Sequence, residues 1–574
     1  MRSTAYILCL VVVAGCLPTS PRADLIIHNA RVYTLAWPEP DTEGRPAAGA
    51  PFDSARGWHP DASAVAVRDG KVVYVGTDSG ALALKGDATH VVDLAGAVLL
   101  PGMVDAHTHI AELGESLDRV NLTSAATEAE AVELVVQRAA NTPKGQWIVG
   151  WGWDEGAWAD RYPDKRLLSQ RVSEHPVVLR GLHGFAAWAN EKALLEAKIT
   201  AATPAPVGGE IRKGKDGAPN GLFINRATEL LYGAVPKPDE VQRDSQVVRA
   251  LRVMAAAGYT GVHEAGTPRD VVASLVRLDE RSALPIRVYA MLDGRDPALV
   301  REWAARGPRV GSDRSNLAIR SVKAYYDGAL GSRGARLLAD YSDRPGHRGV
   351  SGASYGFDHT VAADAMAAGF QIGIHAIGDE GNRSSLDFID SVMTAAPKAR
   401  GLRHRIEHAQ VVSPTDIPRF AKLGVIASME PPHAVEDMPW AAERLGSERV
   451  KGAYAWRTLR RAGAALVFSS DLPGSDWGLF YGWHSAITRQ DKQGKPAAGW
   501  YPDQRMTSEE AVRGYSTWAA FASFDEKSAG TIATGKRADF TAVSVDPFRE
   551  SNGKALLAGM VKLTVVGGRV VGER

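Results

Sequence analysis

The chain has 574 residues, 45% of them hydrophobic and 23% charged, with a formal charge of +1. That length allows one large domain or several ordinary ones, and the composition is that of a globular protein. Near-neutral charge gives no electrostatic case for nucleic acid or an anionic membrane surface, so neither is expected as a partner.

The first residues, "MRSTAYILCLVVVAGC", carry one basic residue, Arg2, and then an apolar run from Ala5 to Ala14. The run is too short to span a bilayer and fits the core of an export signal. It ends in Val13-Ala14-Gly15-Cys16, which resembles the bacterial lipobox, where the cysteine is lipidated and becomes the mature N-terminus. Leu17 and Pro18 follow, and the lack of Asp there resembles lipoproteins sent to the outer membrane. The expectation is a signal over 1–16, a cell-envelope location and membrane contact only through that lipid. The two cysteines of the chain, Cys9 and Cys16, both lie in this leader, which removes disulfides and thiolate ligands from the body of the fold.

"ADLIIHNARVYTLA" and "ASAVAVRDGKVVYVGT" read as β-strands, the second with a turn at Asp69-Gly70. Between them, Trp37 to Asp61 is rich in Pro, Gly and Asp and reads as a surface loop. "THVVDLAGAVLLPG" adds two short strands, and "GTIATGKRADFTAVSVDP" and "MVKLTVVGGRVV" supply more near the other end. Strands at both ends suggest one composite β-sandwich from 23–100 and 530–574. A separate unit over 101–529 would lie between them.

That middle unit alternates helical patterns with short apolar strands. Starting at "LLPGMVDAHTHI" and ending at "ALVFSSDLP", eight such strands can be counted, the number that closes a (β/α)8 TIM-type barrel. Helices are expected at Val361 to Ala368 and Glu380 to Ala395, and 112–244 reads as an insertion after barrel strand one, rich in tryptophan at "QWIVGWGWDEGAW".

Active sites of such barrels lie at the C-terminal strand ends. The polar residues there are His107 and His109, Glu264, Lys323, His375, His408, Glu430 and Asp471, each after an apolar strand interior. His107 and His109 are two apart, so on an extended strand they face one way and can chelate one ion. Lys323 has a second explanation, an ion pair with Asp327, and Asp471 another, a helix cap in "SSDLPGSD".

The order His-x-His, Lys, His, His, Asp resembles the amidohydrolase superfamily. "PGMVDAHTHI", "VKAYYDGALGSRGARLL", "IGIHAIGD", "RIEHAQ" and "FSSDLP" are similar to amidohydrolase family 3, the branch that includes N-substituted formamide deformylases. "GLHGFAAWANEKAL", "GGEI" and "GAPNGLFINRA" in the insertion are similar to family segments too, and the likeness runs from Asp24 to Val571. "ASMEPPH" departs from it, with Glu430 where the family more often has Gln.

The resemblance implies a metal-dependent hydrolase of non-peptide carbon–nitrogen bonds acting on a small-molecule amide, such as an N-formyl or N-acyl amine. It implies two divalent ions, zinc by expectation: His107, His109 and Asp471 on the first, His375 and His408 on the second, with Lys323 carboxylated to a bridging carbamate. Asp471 would also move the proton to the departing nitrogen. His183 is a candidate for binding substrate or its oxyanion, with a buried structural histidine as the alternative. Trp151, Trp153 and Trp158 are candidates for an apolar pocket, Trp153 foremost, with core packing as the alternative. The same residues would serve an esterase, lactonase or cyclic amidase, and a retired solute-binding lipoprotein is a further reading, disfavoured because every ligand position is filled.

Overall fold

The computed structural model describes residues 22–153, 162–181, 186–206, 209–550 and 553–573. The proposed leader with Cys16, and also His183 and Trp158, lie outside the described residues.

Eight parallel strands follow one another around the barrel in chain order. They are Met103–Thr108, Tyr259–Thr267, Arg287–Asp293, Leu317–Tyr325, Gln371–Ala376, Arg405–His408, Ile426–Met429 and Ala465–Phe468. These are the eight apolar runs counted from the sequence. Helices lie between them, including His359–Ala367 and Asp379–Ala395, each within two residues of the expected bounds. Buried Val, Ile, Leu and Phe from strands and helices merge into one core, as a sheet covered on its outer face requires.

Strands one and eight meet at a seam that side chains and loop backbone close. Buried Asp105 accepts from the Ser470 amide (3.0 Å) and hydroxyl (2.6 Å), the Asp471 amide donates to the His107 carbonyl (2.9 Å), and the His109 amide donates to the Leu472 carbonyl (2.9 Å). The residues that follow each strand are thus fixed against one another before any ligand is considered.

Two further sheets stand beside the barrel. One pairs Leu25–His28, Ala64–Arg68, Lys71–Gly76 and His90–Asp93. The other orders Arg31–Val32, Val98–Pro101, Phe540–Val543, Val561–Val566 and Arg569–Glu573, so that Leu100 faces Thr541 and Pro101 faces Phe540. Leu25, Ile27, Val65 and Val67 of the first share one apolar cluster with Leu99, Phe540, Leu563 and Val565 of the second. The stretch from Trp37 to Asp61 is irregular apart from a short hairpin, Phe52–Asp53 with Gly57–Trp58. Between barrel strands one and two, a six-stranded mixed sheet runs from Val120–Asn121 to Pro219–Asn225.

One buried histidine makes stability depend on pH. His404, just before strand six, accepts the Ile372 amide at Nδ1 (3.1 Å) and donates from Nε2 to the Ala399 carbonyl (2.9 Å), a pattern only the neutral ring can make. Burial lowers its pKa from 6.5 to about 4. Above pH 6.5 the ring is neutral folded and unfolded; below it only the unfolded chain takes the proton. Stability therefore falls as pH drops from 6.5 towards 4, by about 3 kcal/mol in all. Urea unfolding of wild type and His404→Gln across that range should show a steeper decline for wild type. Parallel curves would remove His404 as the cause.

Candidate metal centre

Strand one, apolar to Ala106 apart from the seam residue Asp105, delivers His107 into the barrel mouth, while His109 stands at the start of the helix Ile110–Ser116. That helix has no cap from His109 itself. Glu264, at the end of strand two, supplies it: the carboxylate accepts from the Ile110 amide (2.6 Å), the Ala111 amide (3.3 Å) and the Thr108 hydroxyl (3.3 Å). Bonding three donors between residues 108 and 111, Glu264 fixes the direction in which His109 leaves the strand.

Four imidazoles, an amine and a carboxylate converge above. His107 Nε2 lies 2.8 Å from Lys323 Nζ and 3.6 Å from Asp471 Oδ1, which is itself 3.1 Å from His109 Nε2. The His408 ring packs against His107 (4.9 Å between centroids) and His375 (4.5 Å). In the strand register Tyr325 faces His375 and Ala376 faces His408, which brings strands four, five and six to one level. His408 and Asp471 both adopt left-handed backbone, φ 73° and 61°, a conformation that non-glycine residues hold only when their surroundings impose it.

A second row of carboxylates orients the buried imidazoles. His107 Nδ1 donates to Glu407 Oε2 (2.7 Å), and Glu407 is held by Arg405, whose Nη2 reaches the same oxygen (2.9 Å) and whose Nε lies 2.8 Å from Oε1. Arg405 and Glu407 are both buried inside the barrel, where the sequence reading expected only apolar side chains. Gly373 of strand five makes this possible, because a Cβ there would sit 2.7 Å from Glu407 Oε1. Likewise His408 Nδ1 donates to Glu430 (3.1 Å), which also accepts the Ser469 hydroxyl (3.0 Å). With their outer nitrogens tied to carboxylates, His107 and His408 turn Nε2 lone pairs towards the centre, the arrangement metal-ligating histidines use.

The electrostatics agree with that reading. Burial, then the nearby lysine, lowers the His107 pKa to about 4, and burial with the His408 and Lys323 charges holds His375 well below its usual value. Burial lowers Lys323 as well. Against burial, the His109 contact and the imidazoles around it hold the Asp471 carboxyl well below its usual range. The lowered values of His107 and His375 favour the neutral rings that a divalent cation requires, whereas the Asp471 carboxylate raises His109 against burial. The Nε2 of His375 is buried with no hydrogen-bond partner among the described residues, and a ligated ion would satisfy it. His107, His109 and Asp471 offer three donor atoms within 4.8 Å of one another, and the donor set fits a divalent ion.

The amidohydrolase family pattern matches residues 90–572 of this chain. The chain belongs to the amidohydrolase family. Among curated proteins, this amidohydrolase is 31% identical to Protein LONG AFTER FAR-RED 3 of Arabidopsis thaliana, over 96% of this chain and 92% of that protein. It is 27% identical to an N-substituted formamide deformylase of Arthrobacter pascens, over 85% of this chain and 90% of that protein. Among solved structures, a metal-dependent hydrolase from Pyrococcus horikoshii OT3 superposes with a TM-score of 0.71 at 25% identity, covering 92% of this chain and 98% of that one. The protein is accordingly a metal-dependent hydrolase of carbon–nitrogen bonds other than peptide bonds.

Within this amidohydrolase the expected residues fall out unevenly. All six proposed ligand residues reach one centre, but the groupings shift: a second set of donor atoms within 4.8 Å is His408, His433 and Asp471, without His375. His433 was not singled out from the sequence. It follows strand seven in "EPPH", lies parallel to the His408 ring (6.0 Å between centroids) and places Nδ1 3.4 Å from Glu430 and Nε2 3.8 Å from Asp471. Burial opposes its charge, but Glu430 and Asp471 outweigh that and raise its pKa to about 10. The alternative pairing of Lys323 with Asp327 does not form, because Asp327 spends its oxygens on the amides of Ile377, Gly378 and Arg336, each at 2.9 Å. Asp471 caps no helix either, since the next one, Leu479–Thr488, begins after Gly478.

Trp153 is a correction. It is fully buried, its indole N–H donates to the Leu179 carbonyl (2.9 Å), and its ring meets Trp188 edge-on in the core of the six-stranded sheet. A tryptophan whose polar atom is already satisfied inside a core is packing, not a substrate contact.

Proposed function

We propose that this amidohydrolase cleaves the amide of a small N-formyl or N-acyl amine, using two divalent ions, zinc in the first instance. The observation that carries the reading is the pair of buried histidines, His107 and His408, whose outer nitrogens rest on Glu407 and Glu430, with the inner nitrogen of His107 at 2.8 Å from Lys323 and 3.6 Å from Asp471. Similarity to the formamide deformylase supports the substrate class.

In this reading His107, His109 and Asp471 would hold one ion and His375 and His408 the other. Lys323 is the remaining candidate: burial lowers the pKa of its amine, which in neutral form could add carbon dioxide with release of a proton, and the resulting carbamate would be an anionic ligand for the ions. The ions supply a water acidified to a pKa of about 7 and a Lewis acid for the carbonyl. Asp471 takes the proton of the attacking water and delivers it to the nitrogen of the amine as that bond breaks. His433, paired with Glu430 beside Asp471, carries a positive charge that favours the negative oxygen of the tetrahedral stage.

The test joins metal analysis of the purified protein to a panel of N-formyl amines, N-acyl amines, esters and lactones, with released primary amine as the readout. The expected result is two ions per chain and turnover of formamides or simple amides. Hydrolysis of esters or lactones alone would overturn the amide assignment, and bound solute with no turnover would make the protein a binding lipoprotein.

A further inference from the structure

The cavity that holds the metal-site residues also contains an arginine that the chemistry above does not use. Tyr325 ends strand four two residues beyond Lys323, so both side chains leave the same face of the strand. Gly266, at φ 73°, makes the slot for it, since a Cβ there would lie 2.2 Å from the Tyr325 hydroxyl. Across the Tyr325 ring lies the guanidinium of Arg295, its Cζ 3.7 Å from the centroid, with the Tyr355 ring 5.6 Å from the same carbon. The His375 imidazole is on the inner side, 6.2 Å from the Tyr325 ring and 6.4 Å from the Tyr355 ring. Arg295, Tyr325 and Tyr355 line one cavity of about 490 Å³ together with Lys323, His375 and Asp471.

A guanidinium laid flat on a ring keeps its N–H donors on its edge, where they match a carboxylate or a similar anion two bonds at a time. On Arg295 those donors meet no acceptor among the described residues. Of the nearby carboxylates, Asp293 accepts the Arg295 backbone amide on one oxygen (2.9 Å), Asp296 pairs with Arg269 (3.3 Å), Glu115 with Arg243 (2.8 Å), and Glu264 caps its helix, while Glu112 lines the same cavity; none forms an ion pair with the Arg295 guanidinium among the described residues. Every other arginine just named has a carboxylate partner in the fold. Arg295 is fixed by aromatic stacking, open to the cavity, and keeps its full hydrogen-bonding edge for something the cavity receives.

We propose that Arg295, held flat on Tyr325, is an anion-binding subsite, so that the preferred substrates of this cavity carry an anionic group about one aromatic ring's breadth from the carbonyl that is attacked. The proposal deepens the amide reading and rests on it for the reaction, though not for the binding.

The experiment compares N-formyl amino acids of increasing chain length with the N-formyl amino alcohols that lack only the carboxylate, on metal-loaded wild type and Arg295→Met, which keeps an unbranched stem over the ring. Wild type should favour one acid over its alcohol by about tenfold or more. The variant should lose about 10- to 100-fold in kcat/KM on that acid, mostly through KM, and the preference should collapse, as expected for the loss of a charge-assisted bidentate contact. An equal loss on acid and alcohol, or a wild type that prefers the alcohols, would overturn the proposal and leave a solvated arginine stacked on its tyrosine.

A binding arm separates this result from the fate of the amide reading. Calorimetry with 3-phenylpropanesulfonate, whose sulfonate is a poor metal ligand, should show at least about tenfold weaker binding to Arg295→Met. If neither amide class is cleaved while sulfonate binding depends on Arg295, the amide reading falls and the anion site stands. Equal sulfonate affinity in both proteins would sink the anion site whatever the protein hydrolyses.

Discussion

Asp471→Asn should lower kcat by about 10²- to 10⁴-fold with the fold and the barrel seam intact. The loop that carries residue 471 is held by backbone, through its own amide on the His107 carbonyl and the Leu472 carbonyl on the His109 amide, both at 2.9 Å, and the substitution leaves those bonds alone. The side chain is where the loss arises. One carboxylate oxygen lies 3.1 Å from His109 and 3.6 Å from His107, and the other 3.8 Å from His433. An amide can fill that space and still offer an oxygen, but it is a poor acceptor for the proton of the attacking water and cannot pass one on. Rates measured beside metal content and the thermal midpoint distinguish the possibilities. A drop in kcat with metal retained assigns the proton role; a variant within a few-fold of wild type removes Asp471 from the reaction.

Lys323→Ala should lose metal and activity together, and short carboxylic acids such as acetate or propionate should restore part of both by standing in the vacated position. Lys323 is buried, its amine meets His107 Nε2 at 2.8 Å, and the carboxylate closest in sequence, Asp327, is spent on three backbone amides. Burial lowers the pKa of this lysine, against the pull of the Glu407, Asp471 and Glu430 carboxylates, and no carboxylate forms an ion pair with it among the described residues. Carboxylation would convert a group that repels cations into one that binds them. In wild type, labelled bicarbonate should give a carbamate signal that disappears in the variant. Full metal occupancy and ordinary rates in Lys323→Ala would refute the bridge.

What could be read from the sequence, and what could not, follows from where each residue sits. A barrel strand is a short apolar run, so a histidine, lysine or aspartate at its end breaks the pattern visibly, and His107, Lys323, His375, His408 and Asp471 were legible for that reason. Glu407 was hidden because it precedes His408 on the same strand and looks like part of an ordinary polar ending. Only the barrel's closure shows that it turns inward, into space that Gly373 leaves free. His433 sits on the helix after strand seven, outside any strand-end pattern, although its spacing of three from Glu430 is one turn of helix and a usable signal. Trp153 misled in the other direction. A cluster of tryptophans suggests a pocket as readily as a core, and the choice depends on whether the indole N–H finds a carbonyl, which is a matter of tertiary contacts.

The pairing of Val98–Pro101 with Phe540–Val543 has a consequence for how the protein is made. Some 440 residues separate Pro101 from Phe540, and a ribosome adding about 5–20 residues per second needs roughly twenty to ninety seconds to produce them. Throughout that interval "VLLP", wholly buried in the finished protein, waits as an unpaired apolar edge. The sheet cannot be completed until Phe540–Val543 and the strands after it have been made, and until then the edge depends on whatever shields it.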